Sequence, residues 1–476
     1  MALLLIFFPL GMALLAIVIP SNHLRPWLLP VTGIVHTFGT VVVILHPELG
    51  SQSALLILDP VGIIVLIAIT LLFLVASFYT VGYLHYRKER SNRIFSASLL
   101  AFLGLISLVI WSHDLGLMWV AMEGTTLVTA PLIYFNHTKK SIEATWKYLL
   151  VGSVGIALAL LGTFFLAYSS MQGGFKATLL FDELLNIAPG LSKIWLKASF
   201  ILLLIGYGTK MGLAPMHTWK PDAYGEAPGV VGAVFAGGVT SGAFLALLRI
   251  YQICDAAGET LFTANLLKAI GLFSMVIAGI FLIGQRDIKR MLAYSSVEHM
   301  GILALGLGIG APALYGTLLH IITNALTKGV LFLSAGNIHR AYESKSTDQV
   351  KGVLRSLPFT GVLFLLGFFA ITGSPPFGPF ISEFAILNGA FAAGNFGIGA
   401  IFLLLLLLVF IGMSTTVFKT LQGRTPLHIK EKEYTDNFLT IAPIVVCLIL
   451  VLFLGLHVPE PLKNLLNDAA AYMENR

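Results

Sequence analysis

Charge is what this chain has least of. Asp, Glu, Lys and Arg make up 11% of its 476 residues and hydrophobic residues 57%, whereas about a quarter of an ordinary soluble domain is charged. That balance excludes a soluble globular protein and leaves a polytopic membrane protein. Cysteine is nearly missing as well. Cys254 and Cys447 stand far apart and form no Cys-x-x-Cys pair, so neither a structural zinc nor an iron–sulfur cluster is supported, and each reads as a small apolar filler. Long polar stretches are also wanting. The largest, near 339–356 and 422–436, fall well short of the roughly 50 residues a folded soluble domain needs. "GLGIG" at 306–310 lacks the spacing and the preceding strand of a dinucleotide loop, and no cofactor or metal is expected.

Apolar length is abundant. A hydrocarbon core about 30 Å thick takes roughly 20 apolar residues per helix, and fourteen segments meet this: 2–20, 27–46, 56–84, 92–111, 113–135, 145–170, 196–223, 226–253, 262–283, 290–308, 311–338, 356–392, 396–420 and 436–457. The expected fold is therefore all-α, with about fourteen membrane helices. No basic residue precedes the first segment, which reads as a retained helix rather than a cleaved signal peptide. Lys and Arg in the connections fall twenty to one side and seven to the other. The rich side includes Arg87, Lys88, Arg90 and Arg93, the lysine Lys220, and Lys419, Arg424, Lys430 and Lys432; the poor side includes Arg249 and Arg476. By the positive-inside rule the rich connections are cytoplasmic and both termini are outside. The net charge of +6 thus reports topology and gives no reason to expect nucleic acid as a partner.

Against this background a few ionisable residues stand at membrane depth. Glu123 lies in "LGLMWVAMEGTTLVTAPLIYF", the fifth segment, and Lys210 in the seventh. In the eleventh, "LYGTLLHIITNALTKGVLFLSAG", His320, Asn324 and Lys328 are spaced four apart and share one broad helix face. Glu383 follows a double proline in the twelfth. A charge at the centre of a membrane helix costs at least ~2.5 kcal/mol and usually faces a bundle interior with a partner. The seventh and twelfth segments share an anomaly: "GLAP" and "GSPPFGP" break the helix beside an ionisable residue. Such breaks survive at depth only where protein or water satisfies the freed carbonyls, and paired interrupted helices point to a transport site in an inverted repeat.

Four stretches in order, "KMGLAPMHTWKPDAYGEAPG", "QRDIKRMLAYSSVEHMG", "HIITNALTKGVLFLSAGNI" and "GSPPFGPFISEF", resemble the antiporter-like subunits shared by respiratory complex I, Mrp-type cation/proton antiporters and membrane-bound hydrogenases. The similarity spans roughly residues 60–420 and is greatest to the hydrogenase-4-type F-component branch, partly through "ATWKYLLVGSVGIALALLGT". The resemblance implies two inverted five-helix repeats, residues 92–253 and 262–420, flanked by N-terminal helices within 1–91 and a last helix within 436–476. It implies a multi-pass subunit of a prokaryotic cytoplasmic membrane complex that moves protons along a hydrated row. Its partners would be other membrane subunits, antiporter-like siblings among them, a hydrogenase or quinone-reducing arm, and lipid; the transported ion would be H⁺, or Na⁺ or K⁺. By motif position Glu123 and Lys210 form a switchable pair, since separating a buried ammonium from its carboxylate makes the charged form costly. Lys328 takes the centre, Glu383 the proton exit, and His320 and His299 relay positions. In the eighth segment, where many relatives carry lysine or histidine, "GAVFAGGVTSGAFLALLRI" offers Thr240 and Ser241, which orient water but do not titrate near neutrality. The short tail after the fourteenth segment leaves no room for the long lateral helix of the most distal complex I member.

Each residue also has a structural reading. Lys210 could prop open a kink or snorkel, Glu123 and Glu383 could accept structural hydrogen bonds, and Lys328 could neutralise a neighbour. His320 and His299 could be polar spacers. His217, Trp219, Lys220, Asp222 and Glu226 read as fixing the cytoplasmic end of the seventh helix and its loop in preference to carrying protons, the other reading open to them. Three functions follow: a non-redox, proton-translocating subunit of an oxidoreductase complex, a Na⁺(K⁺)/H⁺ antiporter subunit, and a non-pumping membrane scaffold.

Overall fold

The computed structural model describes residues 1–87, 90–426 and 434–474; Lys88, Lys430, Lys432 and Arg476, counted in the charge bias, lie outside the described residues. The helices are α1 Ala2–Val18, α2 Leu28–Leu45, α3 Pro60–His85, α4 Arg93–Trp111, α5 Leu115–Tyr134, α6 Lys139–Gln172, α7 Phe181–Ile187, α8 Lys193–Met211, α9 Trp219–Glu226, α10 Gly229–Val234, α11 Thr240–Ala256, α12 Thr260–Leu282, α13 Ile288–Ile309, α14 Ala311–Tyr342, α15 Val353–Ser356, α16 Pro358–Ile371, α17 Gly378–Ala392, α18 Phe396–Leu421, α19 Phe438–Leu456 and α20 Glu460–Glu474. Among the described residues twelve helical stretches are long and apolar enough to cross a membrane. Two of the fourteen expected segments are shorter: α1 has 17 residues, and the twelfth divides into α16 and α17 because Pro375 and Pro376 halt the ladder. Among the described residues the paired strands are limited to a small antiparallel ribbon, Ser51–Ser53 with Leu56–Ile57, beside isolated bridges such as Asp114–Leu180 and Asp287–Ser346.

Burial sorts the helices into layers. α10–α11, α13 and α14 are enclosed on all sides, while α6, α12, α18 and α19 keep most of their length on the outside, where Phe164, Phe273, Leu404 and Phe438 stand exposed as a lipid face requires. Side-chain caps anchor the loops. Asp59 caps α3 through the Gly62 amide at 2.5 Å and also holds Arg249 of α11, Oδ2 to Nη2 at 2.9 Å. Arg249 is therefore a buried tether and not a loop cation.

Both predicted breaks occur, and they share a construction. α8 stops at Gly212 in the left-handed region (φ 77°), and α16 is followed by Gly373 (φ 65°). In each an ionisable side chain lies back over the glycine where a Cβ would stand: Lys220 over Gly212, Glu383 over Gly373. At the first break the freed groups find protein partners. Trp219 Nε1 donates to Thr209 O at 2.8 Å, Lys220 Nζ to Met211 O at 2.6 Å, and the Ala214 amide to Ser274 Oγ at 3.0 Å. The eighth segment carries a feature without a sequence signal, a π turn over Phe235–Val239 between α10 and α11.

Candidate functional site

The fifth, sixth and seventh segments meet around Thr126 of α5. Glu123, one turn earlier on the same helix, accepts from Thr126 Oγ1 at 3.0 Å and from Ser153 Oγ of α6 at 3.1 Å. Lys210 of α8 is wholly buried and its Nζ donates to the same Thr126 hydroxyl, with the Tyr148 ring face 5.3 Å away. The carboxylate and the ammonium thus face each other through one hydroxyl, which accepts from the lysine while donating to the glutamate. Sequence reasoning paired Glu123 with Lys210 but passed over Thr126, although its i,i+3 spacing from Glu123 puts both on one face.

α13 and α14 supply the second cluster. Lys328 Nζ donates to Ser295 Oγ at 2.8 Å. His299 Nδ1 and His320 Nε2 are 3.0 Å apart with the rings stacked, and His320 Nδ1 reaches Ser382 Oγ of α17 at 2.9 Å. His299 lies between two buried carboxylates, 3.8 Å from Glu298 Oε2 and 3.9 Å from Glu383 Oε1. Glu298, the residue before His299, belongs to the cluster. His299, His320 and Glu383 offer nitrogen and oxygen atoms within 4.8 Å of one another, a metal-ligand set by residue type. Two of those atoms are already joined by the histidine–histidine bond and Ser382 holds the other His320 nitrogen, so the arrangement fits proton relay better than a tetrahedral metal.

One further expectation is corrected. Lys220, counted as a cytoplasmic loop cation that fixes a helix end, is completely buried; besides Met211 O it donates to Ser296 O of α13 at 3.3 Å and sits 5.6 Å over the Tyr224 ring. Its neighbours in "TWKPDAYGE" make it look solvated, and only the fold of α9 under α13 encloses it. Asp222, two residues on, does fix an end: it binds Lys147 of α6 at 2.9 Å and Arg290 of α13 at 3.1 Å. His217 is buried beside the stacked rings of Phe281 and Tyr294, away from both clusters' hydrogen bonds. Thr240 closes on the Ala236 carbonyl at 2.7 Å, next to the π turn. Ser241 Oγ, Ser296 Oγ, Glu298 Oε2, His299 Nε2, Glu383 Oε1 and both ends of the Asn324 amide are buried with no protein hydrogen-bond partner.

The known proteins that match share this architecture. The chain is 34% identical over 396 residues to the hydrogenase-4 component F homolog of Methylacidiphilum infernorum, covering 81% of this chain and 83% of that one. Its fold superposes on a chain of an archaeal membrane-bound sulfane sulfur reductase with a TM-score of 0.87 at 20% identity, covering 99% and 97% of the two chains. On a chain of the Mrp complex of Dietzia sp. DQ12-45-1b the TM-score is 0.85 at 18% identity, with the same coverage. Residues 112–408 match the NADH:quinone oxidoreductase/Mrp antiporter transmembrane family, and the chain belongs to it.

Proposed function

We propose that this polytopic membrane protein is a proton-translocating, antiporter-like subunit of a hydrogenase-type or related respiratory oxidoreductase complex. The observation that carries the reading is the row itself: Glu123, Thr126 and Lys210 linked through one hydroxyl in the first cluster, and Glu298, His299, His320 and Glu383 within hydrogen-bond or ion-pair distance of one another in the second, with Lys328 held by Ser295 of the same helix as His299. Buried polar atoms are as a rule paired with protein or ordered water, so the partnerless atoms of Glu298, His299 and Glu383 in the second cluster, with those of Ser241, Ser296 and Asn324, favour hydration along the row. In this reading charging Lys210 draws Glu123 toward it through Thr126, and releasing that contact drives a proton toward the second cluster, Glu383 being the exit. The likeness to a hydrogenase-4 component F homolog favours a hydrogenase-type assembly with sibling membrane subunits.

The two repeats, 92–253 and 262–420, are part of the proposal. The matching glycine breaks support them, as do the two longest helices, α6 with 34 residues and α14 with 32, each packed against the broken helix that follows it. The surplus of Lys and Arg on one side supports a cytoplasmic position for that side with both termini outside, and the likeness to a bacterial hydrogenase-4 component F homolog supports a prokaryotic cytoplasmic membrane. A Na⁺ or K⁺ carrier is disfavoured by the row's chemistry, since hard cations take several oxygen ligands whereas this row presents ammonium groups at Lys210 and Lys328.

The test is Lys210→Ala in the assembled complex, reconstituted in vesicles and followed with a pH-sensitive dye. Redox-coupled proton uptake is expected to fall to background while the redox reaction continues. Normal uptake with normal assembly would leave the scaffold reading standing.

A further inference from the structure

Where many relatives carry a lysine or histidine, the middle of the eighth segment offers only the hydroxyls of Thr240 and Ser241, yet Lys220 reaches both clusters. Its ammonium touches both halves. One donor goes to the carbonyl of Met211, the residue after Lys210; another goes to the carbonyl of Ser296, the residue after Ser295, whose hydroxyl accepts from Lys328. We propose that Lys220 carries protons between the Lys210 and Lys328 clusters, doing from the broken seventh helix what a lysine of the eighth would do. This rests on the proton-translocating reading above.

A purely structural role must be weighed. The Met211 carbonyl is among the last of α8 and lacks an intrahelical partner, so a cation there caps the helix and meets the negative end of its dipole. That accounts for a donor and a charge but not for the residue chosen. Among the described residues no carboxylate lies within ion-pair distance of Lys220, so its charge is uncompensated in a site with no exposure, where an unpaired ammonium is strongly disfavoured. The contacts suit a group that changes state. A neutral amine keeps two N–H donors for the two carbonyls, so loss of the third proton breaks neither bond. The proton then leaves along a lone pair, and Ser296 Oγ and Ser241 Oγ are buried hydroxyls without protein partners, available to orient the water that takes it.

Three substitutions in the assembled complex decide the matter. Lys220→Arg keeps the charge and the donors but does not release a proton near neutrality; Lys220→Gln keeps two amide donors and cannot titrate. Both are expected to assemble and turn over electrons while proton uptake falls roughly a hundredfold. Lys220→His should recover part of the uptake, with its pH optimum moved to the acid side. A helix cap predicts the reverse pattern, full uptake in the Arg or Gln variant, and that result would overturn the proposal. If Lys210→Ala stops uptake while Lys220→Arg does not, only the role of Lys220 fails; if neither stops it, the proton-translocating reading fails.

Discussion

The two halves of the row are built differently. The first is thin: one carboxylate, one ammonium, one hydroxyl in series, with Glu123 half-buried beside the exposed Ser153. The second is dense and closed, with two histidines, two glutamates and a lysine, none more than 4% exposed. A carboxylate that reaches the flank of a membrane protein at helix depth needs a polar neighbour there, so the first half is the one able to feel an adjacent subunit. The second half holds protons away from both lipid and neighbours. Input and storage are thus physically separate, and the contrast makes a claim about redundancy: the first half has no spare member, whereas in the second only the lysine is without a duplicate.

The largest effect should come where that claim is most exposed. Replacing Lys328 with Met leaves both histidines and both glutamates in place but removes the cluster's single ammonium. Proton uptake in the assembled complex should fall roughly a hundredfold, whereas His320→Gln, with His299 and the two acids intact, should lose only a minor part. Equal losses from the two variants would mean that the second cluster is a single-file chain without redundancy, and the contrast between the halves would collapse.

A second substitution, with an expected effect up to a comparable size, sharpens the other side. Thr126→Val deletes the hydroxyl shared by Glu123 and Lys210 at nearly constant volume. Leaving buried polar groups unpaired costs about 1–3 kcal/mol, which corresponds to roughly a 5- to 150-fold change in the coupling between them. Uptake should drop within that range, and Thr126→Ser should restore most of it. If the valine variant transports at the parental rate, Glu123 and Lys210 communicate by another route.

These contrasts were unevenly legible in the sequence. The spans could be read because lipid demands apolar length, and the breaks because proline and glycine interrupt a ladder by their own covalent geometry. Glu123, Lys210, Lys328 and Glu383 stood out because charge inside an apolar run is anomalous. Lys220 gave no such signal: Trp219, Pro221 and Asp222 surround it with what looks like loop, and its burial is a property of how α9 tucks beneath α13. Thr126 and Ser295 were hidden for a different reason. A buried hydroxyl gains its meaning from the partner across the helix interface, and nothing along the chain names that partner. The π turn over Phe235–Val239 was equally silent, since one extra residue per turn leaves a fully apolar segment without any periodicity to disturb.

The smallest expected effect concerns Asp222, which stands near Lys220 in sequence but apart from the row in space. It joins α6 to α13 through Lys147 and Arg290, and all three side chains keep substantial exposure. Ion pairs of that kind are worth at most about 1 kcal/mol each and are screened by salt. Asp222→Asn should therefore lower the thermal stability of the complex slightly, less so at high ionic strength, with proton uptake unchanged. A loss of uptake in a fully assembled Asp222→Asn complex would place this carboxylate on the entry path. The first half would then hold a second acid after all, and its supposed lack of redundancy would be gone.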